Sequence, residues 1–554
     1  MSISILDERP APAPARAAHP VAAPDVDHGP AAPGPNRRRQ LLRRLATHRL
    51  TGLVVVGLVA LVARLAVLPT AYDIFIDETS YASISLSVAH GHGATLYGLP
   101  FVLHPPAAFG LWATAILALH LQGGAFGALF ALRTVDALVG TVICMLTYAT
   151  VGRMARRRVA LVAGLLIALD PLAISFDSRV MLEAPAQLAM VAMIFFFVKA
   201  DETRVRSSRR RLLLSSAGLA GGMVLATKET FGLVVGLLLV ALLVTGWVVT
   251  RREAVKVMSI ALVVYVVSIA ADAGAFGFRT WWDAKFVGAL RLVGAYQNSG
   301  FNAPNTHVSF LSRVMANGSV FGVTYVVLVA GTLCALGLLW RHEPWYQKRL
   351  ARNSQRRATV LVALWTMAAA TYLAYATLFG TLEEQMYYIL LLPCTISLCL
   401  WCAGWKRLRQ GWWRTAGVAV LGVAVAFNAL AWASIHLSHD DEYRSLVSWE
   451  ALHVPTSAVI AATDGTSQFV LSRGVIGQWN TVAQLKVHHV GYVILATRLV
   501  QQGYGLATPG FEHAVESHGR LVFEANGVSD GSLRVYDVQA ITGNPVGSPL
   551  GLHR

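Results

Sequence analysis

Long apolar segments of about 16 to 24 residues recur along the 554-residue chain, separated by short polar stretches. A helix needs about 20 apolar residues to cross the hydrocarbon of a bilayer, so the pattern predicts a polytopic α-helical membrane protein. About eleven spanning helices are predicted, at residues 50–70, 132–151, 159–176, 183–200, 212–227, 230–249, 257–274, 316–340, 358–379, 386–404 and 415–436. A further apolar piece at residues 106–121 is ambiguous by length alone.

The distribution of charge decides how this ambiguous piece is interpreted. The formal net charge of +16 comes from Arg and Lys clusters between the apolar segments, a position typical of cytoplasmic loops and not of a nucleic-acid surface. If residues 106–121 do not cross, all of these clusters are cytoplasmic. We therefore expect a juxtamembrane helix there, lying against the outer face, with the N-terminus in the cytoplasm of a cell (plasma) membrane protein.

The same patterns divide the chain into three parts. Residues 1–49 are rich in Ala and Pro and end in a basic run, which predicts a disordered cytoplasmic tail. Residues 50–437 form the predicted transmembrane domain. Residues 438–554 lack long apolar segments and contain the β-like stretches SAVIAAT, YVILAT, RLVFEA and LRVYDV, which predict a small extracytoplasmic α/β domain.

Candidate catalytic groups follow the first apolar segment, in the sequence FIDETSYASIS. Charged side chains at membrane depth or at a helix mouth are costly, so Asp77 and Glu78 indicate a functional site. A carboxylate here would act as a general base on an acceptor hydroxyl that attacks a sugar carbon. A phosphate leaving group needs cations. The predicted membrane topology places five cationic residues at or near the outer face: Arg64, Arg133, Arg179, Lys228 and Arg291.

Three histidines lie near these carboxylates in the sequence: His90, His92 and His104. Imidazole and carboxylate groups bind divalent ions, so a metal site remains an alternative, but no spacing matches a metal motif and no ligands are assigned. His104 precedes Pro105 and Pro106, which fix the backbone, so we expect it to act as an oriented hydrogen-bond donor.

The order of several motifs resembles the protein O-mannosyltransferase superfamily and its bacterial relatives that transfer aminoarabinose to lipid A. D-E-T-S-Y-A-S-I-S after a first membrane helix, followed by H-P-P, resembles the opening external loop of these enzymes. Further matches across residues 50–404 are Ala131-Leu132-Arg133, Ser178-Arg179 with Glu183 and Pro185, Ala226-Thr227-Lys228, Tyr387-Tyr388-Ile389 before Pro393, and Arg64.

The resemblance implies a GT-C-type glycosyltransferase fold of eleven to thirteen helices and an inverting transfer from a polyprenyl-phosphate sugar. It also implies that Asp77 is the base or orients the acceptor, that Lys228, Arg291 and Tyr388 contact the lipid-linked phosphate, and that Arg133 and Arg179 brace the site. The sugar, mannose or another hexose or pentose, stays open. So does the acceptor, which is an exported protein, an envelope glycan or a lipid.

The sequence departs from the family pattern in three places. The Arg179 to Glu183 interval is one residue shorter than in the mannosyltransferases, so Glu183 is doubtful as a functional carboxylate. Leu103-His104-Pro105 replaces the Glu-Lys-Pro of the aminoarabinose enzymes, which leaves His104 as the phosphate contact from that loop. The loop at 275–315 also lacks a large carbohydrate-binding insertion.

Two other functional classes fit parts of the pattern. A transporter or lipid-sugar flippase would also have many helices and a few intramembrane charges, but it is expected to show internal repeats and broken helices near the midplane. A membrane anchor for a surface domain would not explain the charges at the helix mouths. The sequence contains no internal repeat and its polar residues collect at one face, which favours the enzyme.

Overall fold

The computed structural model describes residues 49–121, 124–204, 207–296, 309–342, 354–405, 411–438, 440–502, 507–527 and 531–543. The described residues from Gly52 onward form one compact unit. The predicted N-terminal tail lies outside the described residues except for Arg49.

Most of the described residues as far as residue 436 are helical. In order they are α1 (Arg49–Leu65), α2 (Leu68–Ala71), α3 (Ile76–Ala89), α4 (Ala107–Ala118), α5 (Gly124–Met154), α6 (Arg157–Ala168), α7 (Pro171–Asp177), α8 (Glu183–Asp201), α9 (Ser208–Leu225), α10 (Glu229–Thr245), α11 (Arg251–Phe276), α12 (Phe278–Leu292), α13 (Phe310–His342), α14 (Ser354–Leu378), α15 (Met386–Gly404) and α16 (Gly411–His436). A short antiparallel pair, β1 (Thr95–Leu96) and β2 (Leu99–Pro100), lies between α3 and α4.

The polytopic helical architecture is confirmed, although with fewer clear spans than the sequence predicted. Among the described residues, seven helices are long and apolar enough to cross a membrane, and the bent pair α6–α7 makes an eighth. The seven are α5, α8, α11, α13, α14, α15 and α16. The other three predicted spans also form helices, but these are not among the seven. Helices α1 and α10 are short, with 17 residues each, and α9 begins with a basic run, SRRR.

Two segments outside these spans are also helical. The ambiguous piece forms α4, whose 12 residues extend about 18 Å, too short to cross hydrocarbon. Its Trp112 is fully buried and donates to Asp136 Oδ1 at 3.0 Å, which fixes α4 against α5. The predicted loop after α11 instead forms α12. Gly277 has a φ of 88°, which favours glycine and allows the chain to turn between the two helices.

The bend between α6 and α7 has an identifiable cause in the sequence. Asp170 caps α7 by accepting hydrogen bonds from the backbone N–H groups of Leu172 and Ala173 at 3.0 and 3.1 Å, with Pro171 in the first turn. The two helices meet at 61°. The bend directs the end of α7, which carries Asp177, into the protein interior.

The C-terminal part contains a small mixed sheet, as predicted. Its elements are α17 (Glu442–His453), β3 (Val459–Ala462), α18 (Gly465–Val470), β4 (Val475–Gly477), α19 (Val482–Val487), β5 (Tyr492–Ala496), α20 (Thr497–Gln502), α21 (Pro509–His518), β6 (Arg520–Asn526), β7 (Ser532–Asp537) and α22 (Gln539–Thr542). The strand order is β4-β3-β5-β7-β6, with β3 parallel to β4 and β5, and β7 antiparallel to β5 and β6. The four predicted stretches form β3, β5, β6 and β7, whereas the three-residue β4 was missed.

One hydrophobic core joins this sheet to the segments between the membrane helices. It contains Tyr81 of α3, Trp112 of α4 and Leu132 of α5 together with Tyr443 of α17 and Ile460 of β3. Because a buried apolar side chain stabilises the fold by about 1.5 to 3 kcal/mol, this shared core holds the C-terminal part firmly against α3 and α4.

Candidate functional site

The two adjacent carboxylates begin α3 and face different surroundings. Glu78 occupies the third position of the helix, where its Oε2 accepts a hydrogen bond from the backbone N–H of Phe75 at 3.2 Å and stabilises the first turn. Neighbouring residues in a helix point about 100° apart. Glu78 is therefore directed into the core and is fully buried, whereas Asp77 stays partly exposed.

Glu78 is enclosed by hydrogen bonds. Arg133 of α5 donates from Nε to Oε1 at 3.0 Å and from Nη2 to Oε2 at 2.7 Å, and the Val180 N–H donates to Oε1 at 3.0 Å. Arg133 also donates to the carbonyls of Tyr72 and Asp73 at 2.8 and 3.0 Å. Both side chains are fully buried, so the pair fixes the start of α3 and offers neither group to a substrate.

A second buried ionic group lies beneath the first. Arg64 donates to Asp177 Oδ2 from Nε at 2.9 Å and from Nη2 at 2.6 Å, and the Tyr388 hydroxyl donates to Asp177 Oδ1 at 2.5 Å. Arg64 and Tyr388 are fully buried, so this geometry does not agree with the predicted substrate contacts of either residue. The sequence identified both residues but missed Asp177, which holds them together.

Two pairs of opposite charge act on Asp77, and the lysine of a third pair acts on His104. Lys228, just before α10, pairs with Glu183 of α8, and both are buried. Arg291 of α12 pairs with Glu383 at 3.0 Å, and Lys285 of the same helix pairs with Glu229 at 2.8 Å. The turn carrying Glu383 thus converges with Lys228 and Arg291 on the start of α3, while Lys285 lies near His104.

Burial and the neighbouring charges shift the pKa values of both Asp77 and His104. Burial among protein atoms raises the pKa of Asp77 to about 7, and the charge of Glu383 adds to the rise while Lys228 opposes it. Burial lowers the pKa of His104 well below its ordinary value, with further lowering by Lys228, Lys285 and Arg291. Near neutral pH, Asp77 can therefore exchange a proton while His104 stays neutral.

The structure brings together four of the predicted site residues and separates the others. Asp77, His104, Lys228 and Arg291 share one charged region. Glu78, Arg64, Arg133 and Tyr388 are enclosed in the core. The Arg179 guanidinium lies over the Tyr72 ring at 4.9 Å and the Phe75 ring at 5.9 Å, and its charge acts on Glu384.

Several residues of this region were not predicted. Lys285, Glu229 and Glu383 all take part, and Glu183, doubtful on spacing, is the partner of Lys228. A lysine six residues before Arg291 on one helix, and acidic residues at the mouths of α10 and α15, were the available signals. They could not be interpreted because the expected loop at 275–315 had no assigned structure.

The possible metal ligands are not assembled in one place. His90 and His92 are exposed and follow the last residue of α3, whereas Asp77 lies in its first turn. The helix has 14 residues, so its two ends are about 20 Å apart. Across the part of the chain that the structure describes, no group of three or more His, Cys, Asp or Glu residues could hold a metal ion.

Comparison with known proteins identifies the class of enzyme. Residues 121–282, which include Arg133, Arg179 and Lys228, match the family model described as dolichyl-phosphate-mannose-protein mannosyltransferase. The chain is a membrane glycosyltransferase related to this family. Since the family description specifies a lipid phosphate as sugar carrier, the predicted class, a glycosyltransferase dependent on lipid-phosphate sugars, is confirmed.

Solved structures show where the fold of this glycosyltransferase recurs. ArnT from Cupriavidus metallidurans bound to undecaprenyl phosphate is 14% identical, with a TM-score of 0.52 over 92% of this chain and 100% of that one. The archaeal oligosaccharyltransferase AglB from Archaeoglobus fulgidus, in complex with an inhibitory peptide and a dolichol-phosphate, is 12% identical, with a TM-score of 0.56 over 88% of this chain and 74% of that one. No curated protein sequence matches the glycosyltransferase.

Proposed function

We propose that this glycosyltransferase moves a sugar from a polyprenyl-phosphate carrier to an acceptor hydroxyl at the outer face of the membrane, with inversion. Asp77 acts as the general base. The observation that carries the proposal is a partly exposed carboxylate with a pKa of about 7 beside two cation–carboxylate pairs, Lys228–Glu183 and Arg291–Glu383. The polyprenyl phosphates named in the ArnT and AglB structures support the choice of carrier.

The reaction requires one bond to form as another breaks. Asp77 takes the proton of the acceptor hydroxyl, and the oxygen attacks the anomeric carbon of the sugar. The bond between that carbon and the phosphate oxygen breaks on the opposite face, and polyprenyl phosphate leaves with the electron pair. Lys228 and Arg291 stabilise the phosphate as its charge increases, while neutral His104 donates a hydrogen bond.

The buried ionic groups support the site without touching substrate. Glu78 and Arg133 hold the first turn of α3 and therefore the position of Asp77. Arg64, Asp177 and Tyr388 join α1, α7 and α15 beneath it. We assign Glu78, Arg64, Arg133 and Tyr388 to positioning, because a fully enclosed side chain cannot bind the donor directly.

For membrane topology, we propose that α1, α9 and α10 also cross, which gives eleven spans. At 17 or 18 residues, these helices extend about 26 Å, close to the thickness of bilayer hydrocarbon. An odd number of spans leaves the two ends of the chain on opposite sides. The N-terminal tail is then cytoplasmic, and the C-terminal α/β domain lies outside beside Asp77.

The decisive experiment follows label from donor to acceptor. Full-length protein in detergent is incubated with radiolabelled polyprenyl-phosphate mannose, and separately with a nucleotide sugar, each with a mixed envelope extract. We expect label to pass to the extract with release of polyprenyl phosphate. Asp77→Asn should abolish transfer without loss of thermal stability or donor binding, whereas Glu78→Gln should lower stability by about 3 to 5 kcal/mol because it breaks a buried ion pair.

The fraction that becomes labelled identifies the acceptor class: protein, glycan or lipid. Lys228→Ala should weaken donor affinity while leaving the protein membrane-inserted. Full turnover by Asp77→Asn would exclude it as the base. Movement of a lipid-linked sugar across liposomes, with no transfer from any lipid-linked donor, would instead support the transporter.

A further inference from the structure

Three segments that are distant in sequence meet beside the proposed donor phosphate. The His104-Pro105-Pro106 corner is joined to the turn before α10 by the Ala107 N–H, which donates to the Ala226 carbonyl at 3.0 Å. That turn carries Lys228 and Glu229. The third segment is α12, which carries Lys285 and Arg291.

Lys285 contacts both of the other segments. Its Nζ donates to the Leu103 carbonyl at 2.8 Å, directly before His104, and lies 2.8 Å from Glu229 Oε1, directly after Lys228. The Tyr265 hydroxyl donates to the same Glu229 oxygen at 2.6 Å and fixes that carboxylate. A single ammonium group therefore connects the backbone of the His104 corner to the side chain next to Lys228.

The surroundings of Lys285 distinguish it from other cations of its helix. None of the side chains of α12 is fully buried, yet Lys285 has a relative exposure of only 15%. On the same helix, Arg279 is 96% exposed and its nearest acidic neighbour is Asp283 at 3.9 Å. Among the three cations of α12, Lys285 is the least exposed.

We propose that Lys285 is a positioning residue for glycosyl transfer, holding the His104 corner against the Lys228 turn so that both side chains face one donor phosphate. This inference rests on the proposed function. It deepens that function by naming the group that assembles the phosphate site from separate loops. Small displacements of catalytic groups are costly, so loss of this contact should lower the rate of transfer as well as the affinity for donor.

Lys285 also affects the charge state of His104. The charged groups near this ring are Lys228, Lys285 and Arg291, which add to burial in lowering the pKa of His104, and the uncharged Tyr81 ring lies edge-on at 6.0 Å. Removing one of the three charges should raise the pKa of His104 toward its ordinary value. The change follows from the charge of Lys285, so we expect it in Lys285→Met and not in Lys285→Arg, which keeps that charge.

The test compares Lys285→Met, Lys285→Arg and the exposed control Arg279→Met in the full-length protein. With polyprenyl-phosphate mannose as donor, we expect kcat/KM to fall about 10- to 100-fold in Lys285→Met, with changes in both kcat and KM. Lys285→Arg should recover most of this loss, and Arg279→Met should stay within about twofold of the unmodified protein. The acid limb of the plot of log kcat/KM against pH should be steeper in Lys285→Met than in the unmodified protein, because His104 becomes easier to protonate.

Hydrogen exchange at the Ala107 amide tests the contact without catalysis. Exchange should be about tenfold faster in Lys285→Met than in Arg279→Met, because the corner is released from the Lys228 turn. Unchanged exchange, or unchanged kcat/KM with an unchanged pH slope, would overturn the inference. If the unmodified protein turns over no polyprenyl-phosphate sugar, the proposed function fails, and the exchange measurement still decides whether Lys285 joins the two segments.

Discussion

Single residues of the same type take different roles in this glycosyltransferase because of what surrounds them. Asp77 and Glu78 are adjacent acids at the start of one helix. Glu78 receives two hydrogen bonds from Arg133 and is fully buried, so it has a structural role. Asp77 is partly exposed and close to a second carboxylate, Glu383, which makes it a proton acceptor near neutral pH.

The pH dependence of transfer should report on Asp77. The base must be ionised, so kcat/KM should rise with a slope of one as pH increases and level off above an apparent pKa of about 7. The measurement is a pH–rate profile with saturating acceptor and limiting donor. A flat profile between pH 5.5 and 8.5 would contradict the assignment.

The same carboxyl group should affect stability in the opposite direction. Its pKa is raised on folding, so its contribution to stability is fully present below the ordinary pKa of 3.8 and is lost as pH rises through about 7. Asp77→Asn should therefore have a higher Tm than the unmodified protein at pH 8, and this advantage should shrink at pH 5.

At the scale of secondary-structure elements, helix ends place the buried ionic groups. Asp170 caps α7 and also accepts from Thr324 of α13 at 2.9 Å, while Asp177 at the other end of α7 holds Arg64 and Tyr388. A helix of seven residues has little stability of its own. Its orientation therefore depends on the cap and on these contacts.

Substitution of this cap should be detectable in both stability and activity. Asp170→Ala should lower the free energy of unfolding by about 1 kcal/mol, because two backbone N–H groups lose their acceptor. Activity should fall as well, since α7 then presents Asp177 less accurately. Thermal unfolding and transfer assays provide the measurements. Asp170→Asn, which keeps a capping oxygen, is the matched control, and equal Tm values for the two variants would exclude a capping role.

At the scale of the whole molecule, buried acids mark the junction of the C-terminal domain with the membrane helices. Asp73, Asp440 and Glu442 have relative exposures of 2% each. Asp440 Oδ2 accepts from the Asp73 N–H at 3.3 Å, and Asp73 Oδ2 accepts from the Tyr443 N–H at 3.4 Å. Burial and the negative charge of Asp73 raise the pKa of Glu442, so Glu442 is protonated near neutral pH.

This junction should weaken at high pH. Because the pKa of Glu442 is raised on folding, its stabilising contribution is present below its ordinary pKa of 4.5 and decreases as pH rises. Glu442→Gln, which keeps a neutral side chain, should have a higher Tm than the unmodified protein at pH 9 and a similar Tm at pH 5. Asp441→Asn, next to it and less buried, is the control. Parallel Tm curves for all three proteins from pH 5 to 9 would contradict the assignment.

The sequence predicted much of the site at the level of residue type. His104, Lys228 and Arg291 were identified as neighbours of Asp77 because the positions of apolar segments assign each loop to one face. The residues alone did not separate Asp77 from Glu78, although the family resemblance implied Asp77 as the base, and they did not identify Arg64 and Tyr388 as enclosed. Those distinctions depend on Asp177 and Arg133, partners more than 50 positions away in the sequence.

The sequence by itself determined that the chain is a polytopic helical membrane protein and identified four of the five strands of the C-terminal sheet, because hydrophobic length and alternation are local properties of the chain. It also contained the order of motifs that indicates a glycosyltransferase. Only the tertiary structure decided which acid is exposed, that α12 is a helix, and that Lys285 reaches the His104 corner. Ion pairs and burial join residues far apart in the chain, and hydropathy along a sequence contains no information about those distances.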